Sequence, residues 1–453
     1  MLKKTVTPGG MWVSEDGEIK LANIDRMPIH HKAIEKKKVQ RKIKTPKEGR
    51  PLIRSKTYIK MKRDGSKAEL QNLPVRPTTP KYLKDNFDYD KSSSSEENAS
   101  DDDKDKKPKK PLDISQRVYL AACERGGIPP RRRVLKGLIE ESLDICNLTL
   151  VCEDIRALSL ALTTNMCVCS VNLSGNNIGR DGVECLVQAL DENTTISEVN
   201  LSNTSIGLYE ISLLTELLSE NLRITSFEAA GNNLDDDCAK CFAEALKFNR
   251  KLKKLNLSHN SFQECGGQVL AKILETNDSI LDLDMSWNHI RLIGAVAWGD
   301  TIYKNEELRH LNLSWNGFGD DGAAALGEAL EENKSLHSLD LSNNRIGFEG
   351  CKAFAKALNV NTSLQSLALS QNPITTQGAT GLLVAINENE ESKLNHLTLE
   401  GIQVTRDTDD ITEEIRGHIE DFELRHGGYV ISPDTLAFKP VVKPEKKCKS
   451  SKS

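Results

Sequence analysis

Residues 252–277 read LKKLNLSHNSFQECGGQVLAKILETN, and residues 336–361 read LHSLDLSNNRIGFEGCKAFAKALNVN. Laid over one another, the two stretches agree at Leu255 and Leu339, Leu257 and Leu341, Asn260 and Asn344, Gly266 and Gly350, and Asn277 and Asn361. The closing asparagine recurs at Asn165, Asn193, Asn221, Asn249, Asn277, Asn305, Asn333, Asn361 and Asn389, always 28 residues on. A period of this length signals one supersecondary unit copied end to end, hence a solenoid.

The columns of the repeat predict its elements. One column reads Ile145, Leu173, Leu201, Ala229, Leu257, Met285, Leu313, Leu341, Leu369, and another, two residues earlier, runs from Leu143 and Val171 to Leu339 and Leu367. Apolar residues two apart argue for a short strand with one buried face. Three residues past this column stand Asn176, Asn232, Asn260, Asn288, Asn316, Asn344 and Asn372, interrupted by Leu148 and Thr204. A buried amide there can bridge neighbouring turns, because it carries both donors and an acceptor. The spacing then changes: Gly266, Leu270 and Leu274, or Gly322, Leu326 and Leu330, lie four apart and mark one face of a helix. Trp298 aligns with Leu270, Leu326 and Phe354, which assigns it to that buried face. The closing Asn fits a helix end in the left-handed conformation.

These motifs resemble leucine-rich repeats of the ribonuclease-inhibitor type. The resemblance covers residues 142 to about 404, and its last unit carries two extra residues near 390–392. The lead-in YLAACERGGIPPRRRVLKGL, with the repeats behind it, is similar to the leucine-rich repeat-containing protein 74 group. The resemblance implies an α/β horseshoe of about ten 28-residue strand–helix units, with a parallel sheet inside and helices outside.

Composition divides the chain further. Residues 1–111 combine few apolar residues with many charges and include SSSSEENASDDDKDKK, and 427–453 end in KPEKKCKSSKS; both are expected to be disordered. Between them the reading places an N-terminal helical cap at 112–141, the solenoid at 142–409 and a C-terminal capping helix at 410–426. The net charge of −5 hides an asymmetry. The first 91 residues carry about +12 and the solenoid about −20, which predicts a protein partner with a basic surface and no nucleic acid on the solenoid.

Eleven cysteines include two close pairs, Cys167/Cys169 and Cys238/Cys241, but no paired CxxC set at zinc spacing. Cys169, Cys185 and Cys241 fall near apolar columns and are expected to act as small hydrophobes. With no signal peptide at MLKKTVTPGG and no apolar run long enough to span a bilayer, the expectation is a reduced cytoplasmic protein, with nucleus or axoneme as alternatives. Phosphate-loop, nucleophile-elbow and HExxH patterns are missing and the histidines are scattered, so the reading is non-enzymatic, with no catalytic residue, cofactor or metal.

Candidate binding residues come from the positions that vary. Just before the ladder asparagine stand Gly231, His259, Trp287, Trp315, Asn343 and Gln371. Strands lie about 5 Å apart, so Trp287 and Trp315 are expected side by side on the rim of the sheet with His259 alongside. Asp282, Asp284, His310 and Asn312, on inward-facing strand positions, flank them, and aromatics beside charged groups are typical hot spots. The opposing expectation is that both indoles pack against their own turns. The inward column through Asp284 (Asp144, Asn172, Asn200, Glu228, Asn256, Asp284, Asn312, Asp340) is polar, partly acidic and free of basic residues. The leading expectation is a protein-binding scaffold using this concave face. Alternatives are inhibition of a basic secretory-type ribonuclease, activation of a Ran-type GTPase, and an axonemal or cytoskeletal scaffold. The basic stretch from His31 to Arg63 offers a cytoskeletal or nucleic-acid contact, or a strap folding back on the acidic solenoid.

Overall fold

The structure, a computed structural model, describes residues 112–430 and two short strands near the amino terminus, β1 (Met11–Val13) and β2 (Ile19–Leu21), which pair antiparallel. Those strands apart, the arm expected over 1–111 lies outside the described residues, as does the tail beyond 430.

Residues from 114 begin with two helices, α1 (Ile114–Gly126) and α2 (Arg132–Gly137). Asp113 starts α1 by a reciprocal cap: its carboxylate accepts from the Ser115 N–H at 3.0 Å while its own N–H donates to Gln116 Oε1 at 3.0 Å. Tyr119 and Cys123 are buried beneath α1. Arg131 pairs with Asp154 at 3.0 Å and ties this cap to the first repeat helix, α3 (Cys152–Leu162).

From there strand and helix alternate. The strands are β3 (Ser142–Asp144), β4 (Ser170–Asn172), β5 (Glu198–Asn200), β6 (Ser226–Glu228), β7 (Lys254–Asn256), β8 (Asp282–Asp284), β9 (His310–Asn312), β10 (Ser338–Asp340), β11 (Ser366–Ala368), β12 (His396–Leu399) and β13 (Glu423–His426). They form one parallel sheet in chain order. The register repeats without a slip, as in Ser338 opposite Ser366, Leu339 opposite Leu367 and Asp340 opposite Ala368. In the three-residue strands β3–β11 only the central residue, a leucine, a valine or in β6 Phe227, enters the core while its neighbours look out of the concave side; β12 buries both Leu397 and Leu399.

The later helices are α4 (Arg180–Glu192), α5 (Leu208–Glu220), α6 (Asp236–Leu246), α7 (Glu264–Leu274), α8 (Leu292–Lys304), α9 (Gly319–Glu332), α10 (Phe348–Leu358), α11 (Thr376–Glu388) and α12 (Asp407–Arg416). Residues four apart bury one face of each: Gly266, Leu270 and Leu274 in α7, and Gly294, Trp298 and Ile302 in α8. Trp298 is fully buried, and the neighbouring helices close around it. A Cβ on Gly294 would lie 2.6 Å from the Glu264 carbonyl oxygen and one on Gly299 2.7 Å from that of Ala325, so only glycine admits this approach.

Two asparagine ladders hold the repeats in step. In the first, Asn260 Nδ2 donates to the carbonyls of Leu257 in its own repeat (3.0 Å) and Ala229 in the preceding one (3.1 Å). Its Oδ1 accepts from the N–H groups of Asn232 and Leu234, each at 3.0 Å. Asn232, Asn288, Asn316, Asn344 and Asn372 donate to equivalent carbonyls. Where Thr204 breaks the column, its hydroxyl keeps one bond, to Leu201 O at 2.6 Å.

The second ladder corrects an expectation. The asparagines closing each unit do not take the left-handed conformation: Asn193, Asn221, Asn305 and Asn333 have φ between −70° and −83° with ψ of 124° to 145°. They are buried for a different reason. Asn305 Nδ2 donates to the helix-end carbonyl of Leu274 (2.7 Å) and to Asn277 O (3.0 Å), and its Oδ1 accepts from the Glu307 and Leu308 N–H groups (2.9 and 2.7 Å). One amide thus satisfies the open carbonyl of the previous helix and starts the next strand.

Three further departures have plain causes. The two extra residues near 390–392 are absorbed in the turn, where the Ser392 hydroxyl accepts the Leu394 N–H that an asparagine takes elsewhere. In place of one capping helix over 410–426 there are α12 and then β13, because Leu424 and the residues around it pair with β12 and lengthen the sheet. Of the cysteines expected in apolar columns, Cys169 is exposed and Cys185 and Cys241 are half-buried, whereas Cys123, Cys238 and Cys351 are in the core. Helical spacing decides this: Cys238 and Cys351 lie on the inward face of α6 and α10, and Cys241 sits to one side of it.

Candidate protein-binding site

The site begins with a backbone conformation. The residue before the first-ladder position is left-handed in every repeat: Asn147 (φ 54°), Gly175 (69°), Asn203 (55°), Gly231 (67°), His259 (53°), Trp287 (53°), Trp315 (55°), Asn343 (58°) and Gln371 (55°). The chain turns out of the strand here, and its N–H still pairs with the following repeat, as Trp287 N does with Ser314 O at 2.9 Å. Glycine and asparagine suit this conformation, whereas bulky side chains rarely enter it. Three consecutive repeats nevertheless place an aromatic ring there.

Those rings stack. His259 and Trp287 have centroids 5.0 Å apart at 15°, and Trp287 and Trp315 lie 3.9 Å apart at 11°. The indoles are not packed away: Trp287 is 43% and Trp315 44% exposed, and His259 is exposed as well. The structure therefore assembles a three-ring, part-exposed pile beside β7–β9.

The flanking residues separate into two pairs. His310 Nε2 stands 3.7 Å from Asp282 Oδ1 on the exposed concave face. Asn312 Nδ2 donates to Asp284 Oδ2 at 3.3 Å. Asp284 and Asn312 also have a task the sequence did not disclose. Asp284 Oδ1 accepts the Ser286 N–H at 2.9 Å, and Asn312 Oδ1 accepts the Ser314 N–H at 3.0 Å and its hydroxyl at 2.8 Å. Ser286 O and Ser314 O in turn accept from His259 N and Trp287 N. The inward Asp/Asn column thus shapes the turn that presents the rings, and only part of its polarity is left to face solvent. The two-residue interval from Asp284 to Ser286, repeated at Asn312 and Ser314, is an Asx-turn signature that could have revealed this.

Nearer the amino end the concave face over β3–β6 forms a groove of about 360 Å³ lined by Asp144, Glu198, Glu228, Asn172, Asn200 and serines. Hydrogen bonding from Cys146, reinforced by Arg133 at 2.7 Å, holds the Asp144 carboxyl below the ordinary carboxylate range. Glu228 accepts from Lys254 (3.1 Å) and Asn200 Nδ2 (2.8 Å). Among the described residues no group of three or more His, Cys, Asp or Glu is placed to hold a metal ion, and no helix is long and apolar enough to cross a membrane.

The family model "Leucine Rich repeat" matches residues 164–187, 248–271, 304–327, 332–355 and 360–383. The chain is built of leucine-rich repeats. Three solved structures are similar to the chain at low identity. The leiomodin-1 actin-binding site 2 structure is 19% identical over 39% of this leucine-rich-repeat chain and 86% of its own, with TM-score 0.27. An internalin (inlF) of Listeria monocytogenes is 15% identical over 70% and 95%, with TM-score 0.37. A TLR13–ssRNA13 complex is 18% identical over 60% of this chain and 41% of its own, with TM-score 0.34. Comparison with curated proteins yields no match.

Proposed function

We propose that the protein is a non-enzymatic binding scaffold of the ribonuclease-inhibitor type. Its concave face takes a partner protein with a basic surface, anchored on Trp287 and Trp315. The observation that carries this reading is the pair of stacked, part-exposed indoles held in a left-handed conformation. Such strain costs on the order of 1–3 kcal/mol per residue and persists where function requires it. Glycine or asparagine fills the same position in neighbouring repeats without that cost. The 28-residue unit with a full helix on its outer side supports the subclass, and the charge of about −20 on residues 112–430 supports the choice of partner.

The test is proximity labelling in cells with the full chain and with a Trp287→Asn/Trp315→Asn variant. Partners should be enriched by the parent and at least tenfold less by the variant, with melting behaviour preserved. Equal enrichment by a folded variant would remove the rim from the binding surface.

A further inference from the structure

The outward side of the helices carries a local anomaly. Its outermost column reads Gln188, Glu216, Glu244, Lys272, Asp300, Glu328, Lys356 and Val384, and every one of these residues is exposed. Polar and charged residues suit a solvated helix face. Val384, on α11, breaks the pattern and is 37% exposed. Three residues earlier, a column that carries a side chain in each repeat from Cys185 and Leu213 to Ala325 and Ala353 ends in Gly381. Gly381 is not left-handed, and a Cβ on it would meet no atom within 4 Å. Neither turn geometry nor close packing therefore requires glycine there.

Both departures open onto one groove. Phe348 and Ala355 of α10, Thr380, Gly381 and Val384 of α11, and Thr405 just before α12 line a largely apolar space of about 660 Å³, a volume typical of sites that hold a ligand group. Lys352 also borders it but is paired with Glu349 at 3.0 Å, and Asp407 borders it from the start of α12. Such a groove gains by taking apolar side chains out of water. The chain itself leaves beside it. Val430 N donates to Val404 O at 2.9 Å, and Thr405 is the next residue. Tyr429 already reaches the first turn of α12, where its hydroxyl donates to Asp409 Oδ1 at 2.8 Å. Beyond Val430 the sequence runs ISPDTLAFKPVVKPEKKCKSSKS, whose longest apolar run is Leu436, Ala437 and Phe438, followed by Lys439. Six extended residues span up to roughly 20 Å. Two helix spacings amount to about 16–20 Å. The run is thus within reach of the groove.

We propose that residues 436–438 turn back over the first turn of α12 and dock in the groove between α10 and α11, with Leu436 and Phe438 against Val384 and Phe348 and with Lys439 toward Asp407. The groove is then a docking site for a short leucine–phenylalanine segment, which the chain fills itself. Gly381 is the residue that keeps it open, because a side chain there would take the space of the segment. This site lies on the helical side and does not depend on the concave-face partner.

The experiment places the photo-crosslinker p-benzoyl-phenylalanine at position 384 of the full chain and maps what it captures by peptide mass spectrometry. The expected product is a cross-link within one chain to the peptide that holds Leu436 and Phe438. Leu436→Ser/Phe438→Ser should lower its yield at least tenfold. Gly381→Leu puts into the groove the residue the column already carries at Leu213, where the added Cβ meets nothing, so the fold is retained; it should lower the yield equally. Without the crosslinker, the Val384 methyl resonances of the full chain should shift in Leu436→Ser/Phe438→Ser, because a ring leaves their side. Cross-links that join two chains or miss this peptide, a yield unchanged in either variant, or Val384 methyls that do not move would each overturn the docking.

Discussion

The indole of Trp287 lies flat against that of Trp315, centroids 3.9 Å apart at 11°, although a whole strand–helix unit separates them in the chain. Both residues are left-handed. Replacing both with asparagine removes a stacked pair, a loss of about 0.5–1.5 kcal/mol. It also relieves strain on the order of 1–3 kcal/mol at each of the two residues. Stability from urea unfolding should therefore equal or exceed that of the parent. A fall of about 3 kcal/mol or more, the range for truncating a core aromatic, would mean that the indoles belong to the packing instead.

The first ladder should be costly to break and improvable where it is broken. Asn260→Ala removes three donated and two accepted hydrogen bonds at a buried site. Leaving such groups unpaired should cost about 3 kcal/mol, read as a lower urea midpoint. Thr204→Asn restores the missing rung and should add about 1 kcal/mol. A Thr204→Asn protein less stable than the parent would show that the neighbouring turns have relaxed around threonine.

Glu275 binds Lys272 at 2.8 Å and Lys304 at 3.0 Å, with its carboxylate nearly buried. Burial alone would raise its pKa, but the hydrogen bonds and charges of the two lysines outweigh it and hold the carboxyl below its ordinary value. A depressed folded pKa gives stability that is complete above the unfolded value, near 4.5, and is lost as pH falls through the folded one. Glu275→Gln should therefore be less stable than the parent at pH 7 by about 0.5–1 kcal/mol. The difference should vanish in urea titrations carried well below pH 4.5. A difference independent of pH would assign the effect to packing.

Thiol reactivity should sort by depth. Burial pushes the Cys123 thiol up to about 11 and those of Cys238 and Cys351 up to about 12. Cys167, Cys169 and Cys265 are exposed. Iodoacetamide at pH 8 followed by peptide mapping should modify the exposed three first and the buried three only after unfolding, because the thiolate is the reacting form. Modification of Cys351 in the folded protein at the rate of Cys265 would contradict the helical register of α10.

Much of the site's outline was legible because a solenoid converts sequence interval into spatial adjacency. Once the period was read, Trp287 and Trp315 had to be neighbours. The role of Asp284 and Asn312 was harder to read. Their side chains face the concave side and also accept the Ser286 and Ser314 N–H groups, and composition alone suggests only a solvated acidic column. The closing asparagines misled for a related reason: asparagine serves both a left-handed turn and a carbonyl bridge, and the open carbonyl it meets belongs to the previous repeat.

By itself the sequence determined the unit, its copy number to within one, and the buried faces of strand and helix, since these follow from periodicity and the side chain's preference for water or core. Tertiary structure alone decided that the rim position is left-handed, that the rings lie parallel rather than folding onto their own turns, and that the Asn203 amide covers Gly231. Each of these depends on distances between residues a full repeat apart, and those distances exist only once the backbone hydrogen bonds have locked one repeat onto the next.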